Sequence, residues 1–435
     1  MIPEYQHREV EPRLQLSWEQ AGLFQNTPAT VSSVNPAKKK LHLFAFAYPS
    51  GSGLHVGHVE SKTALDILSR FRRMQGDQVY FPVGWDAFGL PAENYAIKTG
   101  IPPAQTTKDA ITTFRRQVKR LGISYDWANE LATSHPEYYR WTQWLFLQLY
   151  KKGLAYKDTG MVNWCPSCQT VLANEQVVNG LCERCDSAVV QKDLQQWYFK
   201  ITQYKDELLS GLDDVDWPEP TKQQQRHWIG KSVGVEIDFS VADQPTAQKL
   251  PCFTTRIDTV FGVTFVVISP EKWQELELSQ YVPAAQQSSV AAYVEAAFHK
   301  SEEERKIGEK DKTGVDTQLR VVNPVSNQAV PLYVADYVLA GYGTGSVMGV
   351  PAHDERDEAF AKKYHLPIVP VIDEHNCLIN SGEFSGLTSA EAKQQLPTKF
   401  TQFMRPTVNY KLRDWLISRQ RYWGAPIPVV YDPEG

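Results

Sequence analysis

Two histidines three positions apart, His55 and His58, follow a stretch that turns through Pro49, Gly51 and Gly53. Imidazoles at that spacing share one face of the first turn of a helix. Beside the positive end of a helix dipole they can donate to a phosphate as charge develops on it. Placing them takes a strand and a helix. Leu41 to Ala47 is apolar enough for the strand. After the turn a helix is expected to run to about Gln75. In it Ala64, Leu65, Ile67, Leu68, Phe71 and Met74 recur at helical spacing and predict a core-facing stripe. Strand, glycine turn and helix is how a doubly wound sheet holds a nucleotide: backbone N–H groups face the phosphates, and glycine lets the backbone come close. A single glycine-rich turn is also common without a ligand, so the spacing alone leaves both readings open.

Cysteines form a second constellation. Cys165-Pro-Ser-Cys168 and Cys182-Glu-Arg-Cys185 are two CxxC pairs separated by 13 residues. Between them Val171 to Val178 reads as a strand and Asn179-Gly180 as a tight turn. Two such knuckles joined by a hairpin can set four thiolates tetrahedrally around Zn²⁺. With sulfur in all four positions the site is structural, leaving none open for catalysis. Disulfides are the alternative, and they belong mainly to secreted chains. Met1-Ile-Pro-Glu-Tyr-Gln shows no basic segment leading into an apolar one, so no secretory signal is read. No apolar run approaches the roughly 20 residues of a membrane helix. The expectation is a cytoplasmic protein with no membrane partner. Cys252 and Cys377 have no partner motif and are read as ordinary packed residues.

The 435 residues suggest about three domain-sized units. The composition, 42% hydrophobic and 22% charged, is that of an ordinary globular chain. A net charge of −5 argues against holding nucleic acid by bulk charge, though not against local basic patches. Candidate patches are Arg70-Phe-Arg72-Arg73 and Arg115-Arg116-Gln-Val-Lys119-Arg120, with a solvated helix face as the plainer reading.

Other elements follow from pattern. A helix is expected near Leu14 to Leu23, then a polar lead-in ending Lys38-Lys39-Lys40. Val79-Tyr-Phe-Pro reads as a strand that delivers Gly84 to Asn94 to its carboxyl end, where open parallel sheets bind ligands. Helices are expected over Thr107 to Leu121 and from Ser134-His-Pro-Glu137, a capping-box pattern, to Gly153. Trp141 and Trp144 in the latter are read as core residues rather than base-stacking platforms. Gln196-Trp-Tyr-Phe and Val233 to Phe239 read as strands. From about 230 to 408 the chain changes to short β-like runs and glycine turns, with one helical stretch near Ser288 to Phe298.

Tyr48-Pro-Ser-Gly-Ser-Gly-Leu-His55-Val-Gly-His58 resembles the HIGH signature of class I aminoacyl-tRNA synthetases. Gly84-Trp-Asp86-Ala-Phe-Gly-Leu-Pro-Ala-Glu93-Asn94 resembles the second block of the leucyl-tRNA synthetases. Farther on, two blocks resemble the walls of that family's editing pocket. They are Thr254-Thr255-Arg256-Ile257-Asp258-Thr259 and Gly341-Tyr-Gly-Thr-Gly-Ser-Val-Met348-Gly-Val-Pro-Ala-His353-Asp354-Glu-Arg-Asp357. Read alone, either is also consistent with turn chemistry and helix capping. Leu412-Arg-Asp-Trp415 through Arg419-Gln-Arg421-Tyr422-Trp423-Gly424 matches the segment that re-enters the synthetic domain.

The resemblance implies an α/β fold: a Rossmann-like class I catalytic domain with a parallel sheet, interrupted by a zinc-binding module and a β-rich editing (CP1) domain. The implied boundaries are a catalytic first half over 1–228, with the zinc-binding insertion at 155–192, the editing domain over 229–408, and a return over 409–435. It implies an ATP-dependent leucine–tRNA ligase using Mg²⁺ and a structural Zn²⁺, with leucine, ATP and tRNA(Leu) as partners. His55 and His58 would be catalytic. Pro49, Ser50, Gly51, His55, Gly57 and His58 would bind ATP, and Phe46, Tyr48 and Asp86 the amino acid, with Asp86 on its ammonium group. In the editing pocket Thr259 would be the steric gate that excludes leucine and Asp357 would hold the ammonium group. Thr254, Thr255, Arg256, Asp258, Tyr342, Met348, Val350, His353 and Asp354 would line or support it. The need for such a site is physical, because an apolar pocket discriminates one methylene by only about 1–3 kcal/mol.

Three departures stand out. Ala45 and Ala47 replace a frequent methionine and proline, and Ile257 replaces a usual proline. No KMSKS-like lysine loop occurs in these residues. A fragment, a truncated gene or one subunit of a split enzyme is therefore the expectation, with the missing C-terminal half as a candidate partner chain. The rival readings are an isoleucyl- or valyl-type synthetase, which Phe88 and Ala92-Glu93-Asn94 argue against, and a trans-editing or tRNA-binding factor.

Overall fold

The computed structural model describes residues 5–49, 53–172, 176–178, 180–242, 249–298, 305, 312–338, 343–419 and 421–432. The chain divides into two compact units, Met1–Ala155 with Gln420–Gly435, and Tyr156–Arg419. Among the described residues no helix is long and apolar enough to cross a membrane.

In the first unit, helix α1 (His7–Gln20) precedes β1 (Lys39–Leu41), α2 (Val56–Met74), β2 (Gln78–Tyr80) and β3 (Pro82–Trp85). Then come α3 (Leu90–Thr99), α4 (Pro103–Arg120), β4 (Asp126–Ala132) and α5 (Pro136–Lys151). Among the described residues the strand pairings in this unit are parallel: β1 on β2, Ala47 on Trp85, and β3 on β4. The chain segment 78–85 therefore lies between 39–47 and 126–132, with α2 and α4 as crossovers, a right format for a doubly wound sheet. β3 is buried along its whole length, as a strand covered on both faces must be. Val79, Phe81, Val83, Trp85, Phe114, Val118 and Tyr125 form the core beneath it.

Several sequence expectations change here. The expected strand from Leu41 to Ala47 is regular only over Lys39–Leu41 and rejoins the sheet at Ala47. The apolar stripe of α2 faces outward: Ile67 is 64% exposed and Met74 84%. Its buried face carries Lys62, Asp66 and Ser69 instead. Asp66 accepts from the Ser124 backbone N–H at 2.7 Å and from its hydroxyl, and Arg73 donates to Ser124 Oγ at 2.7 Å, so hydrogen bonds seat this face. Trp141 and Trp144 are exposed and meet edge to face at 6.2 Å. α5 is capped by His135, whose Nδ1 accepts from the Glu137 N–H at 3.3 Å, and not by Ser134. The two basic runs are largely occupied by pairing. Arg70 binds Asp66 and lies over Trp18, Arg115 binds Glu130, and Lys119 binds Glu19.

The second unit opens with β5 (Ala155–Cys165), β6 (Thr170–Leu172), the hairpin β7 (Val177–Val178) and β8 (Leu181–Cys182), and β9 (Val190–Phe199). The single strand expected over Val171 to Val178 is thus two short pieces. Helix α6 (Glu219–Ile229) leads into a seven-stranded sheet. Its strands are β10 (Ser232–Val241), β11 (Lys249–Thr254), β12 (Phe265–Ile268), β13 (Val315–Val322), β14 (Ala329–Val334), β15 (Ser346–Gly349) and β16 (Met404–Asn409). The order is β11-β10-β13-β14-β12-β15, with β16 also on β10. Helices α7 (Ala284–Phe298), α8 (Glu355–Lys363) and α9 (Ser389–Lys399) flank these strands in sequence. A short β17 (Trp415–Leu416) pairs with β9. Asp414 accepts from Tyr156 Oη at 2.8 Å and Thr202 Oγ1 at 2.7 Å, fixing the segment before β17. Cys252 is fully buried as expected, but Cys377 is only half-buried, at an isolated bridge to Thr388.

Candidate functional site

The histidine pair marks the start of α2. His55 is the N-cap residue, in extended conformation, and His58 sits in the first turn. The His55 backbone N–H donates to His58 Nδ1 at 3.3 Å, and the two rings lie 3.7 Å apart. Burial, then His55 and Lys62, hold the His58 pKa below its ordinary value. Gly57 lies within the same turn, and Pro49 is buried just before it. Ser50 and Gly51 lie outside the described residues. Gly53 has φ +144°, and a Cβ there would meet the Gln117 side chain at 2.4 Å. Gln117 Oε1 accepts from the Leu54 N–H at 2.8 Å. This glutamine, 63 residues on, holds the turn, and no local pattern announces it.

The second block meets the same sheet edge. Ala47 bridges Trp85, and the Asp86 N–H donates to the Ala47 carbonyl at 3.0 Å. Phe46, Tyr48 and Asp86 are thus brought to neighbouring strand ends. The Phe46 ring lies so close over Gly84 that a Cβ would come within 2.5 Å of it, which explains the glycine. Thr133 donates to Asp86 Oδ1 at 3.5 Å and accepts from the Ala87 N–H at 2.8 Å. The returning segment crosses this block. Trp423 Nε1 donates to the Ala87 carbonyl at 2.8 Å, and the Tyr422 N–H donates to Glu93 Oε1 at 3.0 Å. Thr133 and the Trp423 contact were invisible to spacing arguments.

The four cysteines converge. All four sulfurs lie within 4.8 Å of one another, with Cys165 and Cys168 each 3.4 Å from Cys185, and Cys168 4.0 Å from Cys182. No disulfide joins them. Tetrahedral thiolates about 2.3 Å from a metal stand about 3.8 Å apart, so the donor set fits one such ion.

The two polar blocks of the second unit also meet. Ser346, at the start of β15, donates to the Pro251 carbonyl of β11, and the Thr264 N–H donates to the Gly349 carbonyl at 3.1 Å. Thr254 Oγ1 accepts from the Arg256 N–H at 2.9 Å, and Thr255 is exposed. Asp258 is fully buried and is held by Arg256 Nε at 3.2 Å, Ser389 Oγ at 2.6 Å and Lys393 at 3.8 Å. Its carboxylate therefore ties this turn to α9. Thr259 is fully buried too, its hydroxyl donating to the Arg256 carbonyl at 2.7 Å. Ile257, Met348 and Val350 belong to the apolar core of the sheet, so the Ile257 departure is absorbed by packing.

Asp354 caps α8, accepting from the N–H groups of Arg356 and Asp357. Burial raises the pKa of its carboxyl, but Arg356 and those amides outweigh this and hold it low. Asp357 Oδ2 accepts from the Val350 N–H at 2.9 Å. Burial, with Asp354 nearby, pushes the Asp357 carboxyl up to about 6. His353 Nε2 accepts from the Val371 N–H at 2.9 Å, and burial, then Arg256, lower its pKa. Tyr342 lies outside the described residues.

A parallel sheet with paired histidines at a helix start and an acid at the next strand end is the arrangement of a doubly wound nucleotide-binding fold. The family model described as tRNA synthetases class I (M) matches residues 43–194, and the one described as Leucyl-tRNA synthetase, editing domain, matches 226–401. A leucine–tRNA ligase of Clostridium perfringens is 50% identical over 98% of this chain and 53% of the relative. One of Clostridium botulinum is 51% identical over 97% and 52%. The agnB2 LeuRS of Agrobacterium radiobacter K84, solved as a ternary complex with tRNA and LeuAMS, matches with a TM-score of 0.78 and 40% identity, over 99% of this chain and 52% of that one. The chain belongs to the leucyl-tRNA synthetase family. It spans about half the length of the curated relatives it matches.

Proposed function

We propose that this chain carries the leucine-activating half-site and the editing site of a cytoplasmic leucine–tRNA ligase. The observation that carries the reading is that Ala47, in the segment leading to the His55–His58 helix start, pairs with the strand end at Trp85 and Asp86, while His58 and Trp85 both pack edge to face on Phe114. Leucine's carboxylate attacks the α-phosphate of ATP, releasing pyrophosphate, and the acyl group then passes to the 3′-terminal ribose of tRNA(Leu). His55 and His58 donate to phosphate oxygens as their charge grows, beside Pro49 and Gly57, and the family resemblance assigns Ser50 and Gly51 to the same nucleotide. Asp86, oriented by Thr133, binds the ammonium group, and Phe46 and Tyr48 border the side chain. Mg²⁺ accompanies ATP. Cys165, Cys168, Cys182 and Cys185 hold Zn²⁺, which cross-links the module. The limits 1–228, 155–192, 229–408 and 409–435 are the domains we assign.

Non-hydrolysable leucyl-, isoleucyl- and valyl-adenylate analogues test this. At roughly a hundred times Kd a ligand adds about 2.7 kcal/mol, or several degrees in Tm. The largest shift should come with leucyl. No shift with any analogue, in a cooperatively folded sample, favours an editing factor instead.

Editing makes a separate prediction. Capture of an ammonium group needs Asp357 ionised, and its carboxyl gains a proton as pH falls through about 6. Deacylation of mischarged tRNA should therefore decline on that acid limb. With Thr259→Ala the same assay should extend to correct leucyl-tRNA. A flat profile below pH 6, or an unchanged substrate range, would refute these roles.

A further inference from the structure

Lys62 stands one turn beyond His58 on α2 and is 4% exposed. Its ammonium lies 4.8 Å from the centre of the Phe44 ring and 6.0 Å from that of Tyr125. Its hydrogen-bond partner is the Tyr125 hydroxyl, at 3.5 Å. Asp66, the acid one turn further on, is engaged with Arg70 and Ser124. A buried ammonium held by aromatic faces and a hydroxyl, rather than a carboxylate, is costly, and ring faces return only part of the cost. Among the described residues no anion is paired with it, and its field acts on its neighbours.

The nearest part of the proposed site is the histidine pair. His58 Nδ1 accepts the His55 N–H, which puts the imidazole proton on Nε2. A second proton would displace that bond. It would also set a cation 3.7 Å from the His55 ring and one turn from Lys62. From α4 the ring meets the uncharged Phe114, edge to face at 6.2 Å. The titratable groups acting on His58 are thus His55 and Lys62, both from its own helix start, and both oppose protonation.

We propose that Lys62 is a positioning residue of the adenylate site: its buried charge keeps the second proton off His58, holding Nδ1 as acceptor and Nε2 as donor. The role in adenylate binding rests on the function proposed above, whereas the effect on His58 does not. Burial also lowers the pKa of Lys62 itself, so the effect weakens on the alkaline side before an exposed lysine would lose its charge.

The test follows His58 in the full chain with ¹⁵N-labelled histidine, its signals assigned with a His58→Asn variant. In Lys62→Met the His58 titration midpoint should rise, as expected for losing a like charge one turn away. Lys62→Arg should stay near the parent. The acid limb of leucyl-adenylate analogue binding, read by thermal shift, should move with the midpoint. Should Lys62→Met not fold cooperatively, Lys62→Gln is read in the same way. An unchanged midpoint in the neutral variant overturns the proposal. If no variant, parent included, binds the analogue, the functional reading fails and the histidine titration still decides the role of Lys62.

Discussion

Replacing Cys182 with serine is expected to cut zinc content well below one ion per chain and to unfold the module around β5 to β9. Cys182 is fully buried, and among the described residues the core it shares comprises Cys165, Leu172 and Val177, with Cys168, Cys185 and Val189 at its edge. A core that small does not hold a fold by itself. Structural zinc supplies about 10–16 kcal/mol in comparable small sites, so a module that no longer retains the ion loses most of what holds it folded. Metal analysis of the reduced chain and hydrogen exchange of the strand amides give the two readouts. A variant that retained one zinc with unchanged exchange would show that this sulfur is not a ligand. Chelation of the parent should reproduce the exchange pattern, while β12 and β14 in the other sheet stay protected.

Phe265→Ala is expected to destabilise the seven-stranded sheet by about 3–5 kcal/mol, the usual range for removing a buried phenylalanine. Phe265 is fully buried on β12, between β14 and β15, and stacks on Phe360 at 5.1 Å. Its ring also covers Gly349, where a Cβ would approach to 2.3 Å. Removing the ring leaves a cavity under β15, whose end leads to Val350 and hence to Asp357. Deacylation activity should fall together with stability. Denaturant unfolding, with hydrogen exchange of β12 and β14 amides to assign the transition, measures the effect. A cost below about 1 kcal/mol would mean the site collapses around the missing ring.

How much of this was readable beforehand depends on the range of the interaction. Local order is carried by local chemistry. The helix that begins after His55, the strand near Val79, the CxxC pairs and the capping acid of α8 each follow from neighbours within a few positions, whereas Pro82–Trp85 forms a further strand where the sequence predicts a loop from Gly84 on. Motif resemblance added which residues go together, and the parallel pairings and the β-rich second unit agree with it.

The sequence by itself determined that 56–74 is a helix and which of its residues share a face. Periodicity cannot say which face meets the sheet. Tertiary structure decided that, seating Lys62, Asp66 and Ser69 inward because Ser124 and Tyr125, some 60 positions away, offer hydrogen-bond partners there. The same limit explains Trp141 and Trp144, helical in spacing yet exposed. It explains Gln117, Thr133 and Trp423 as well, each of which reaches its site across 46 or more positions. Those contacts depend on how strands and helices pack, a property of the folded chain that no short window of residues contains.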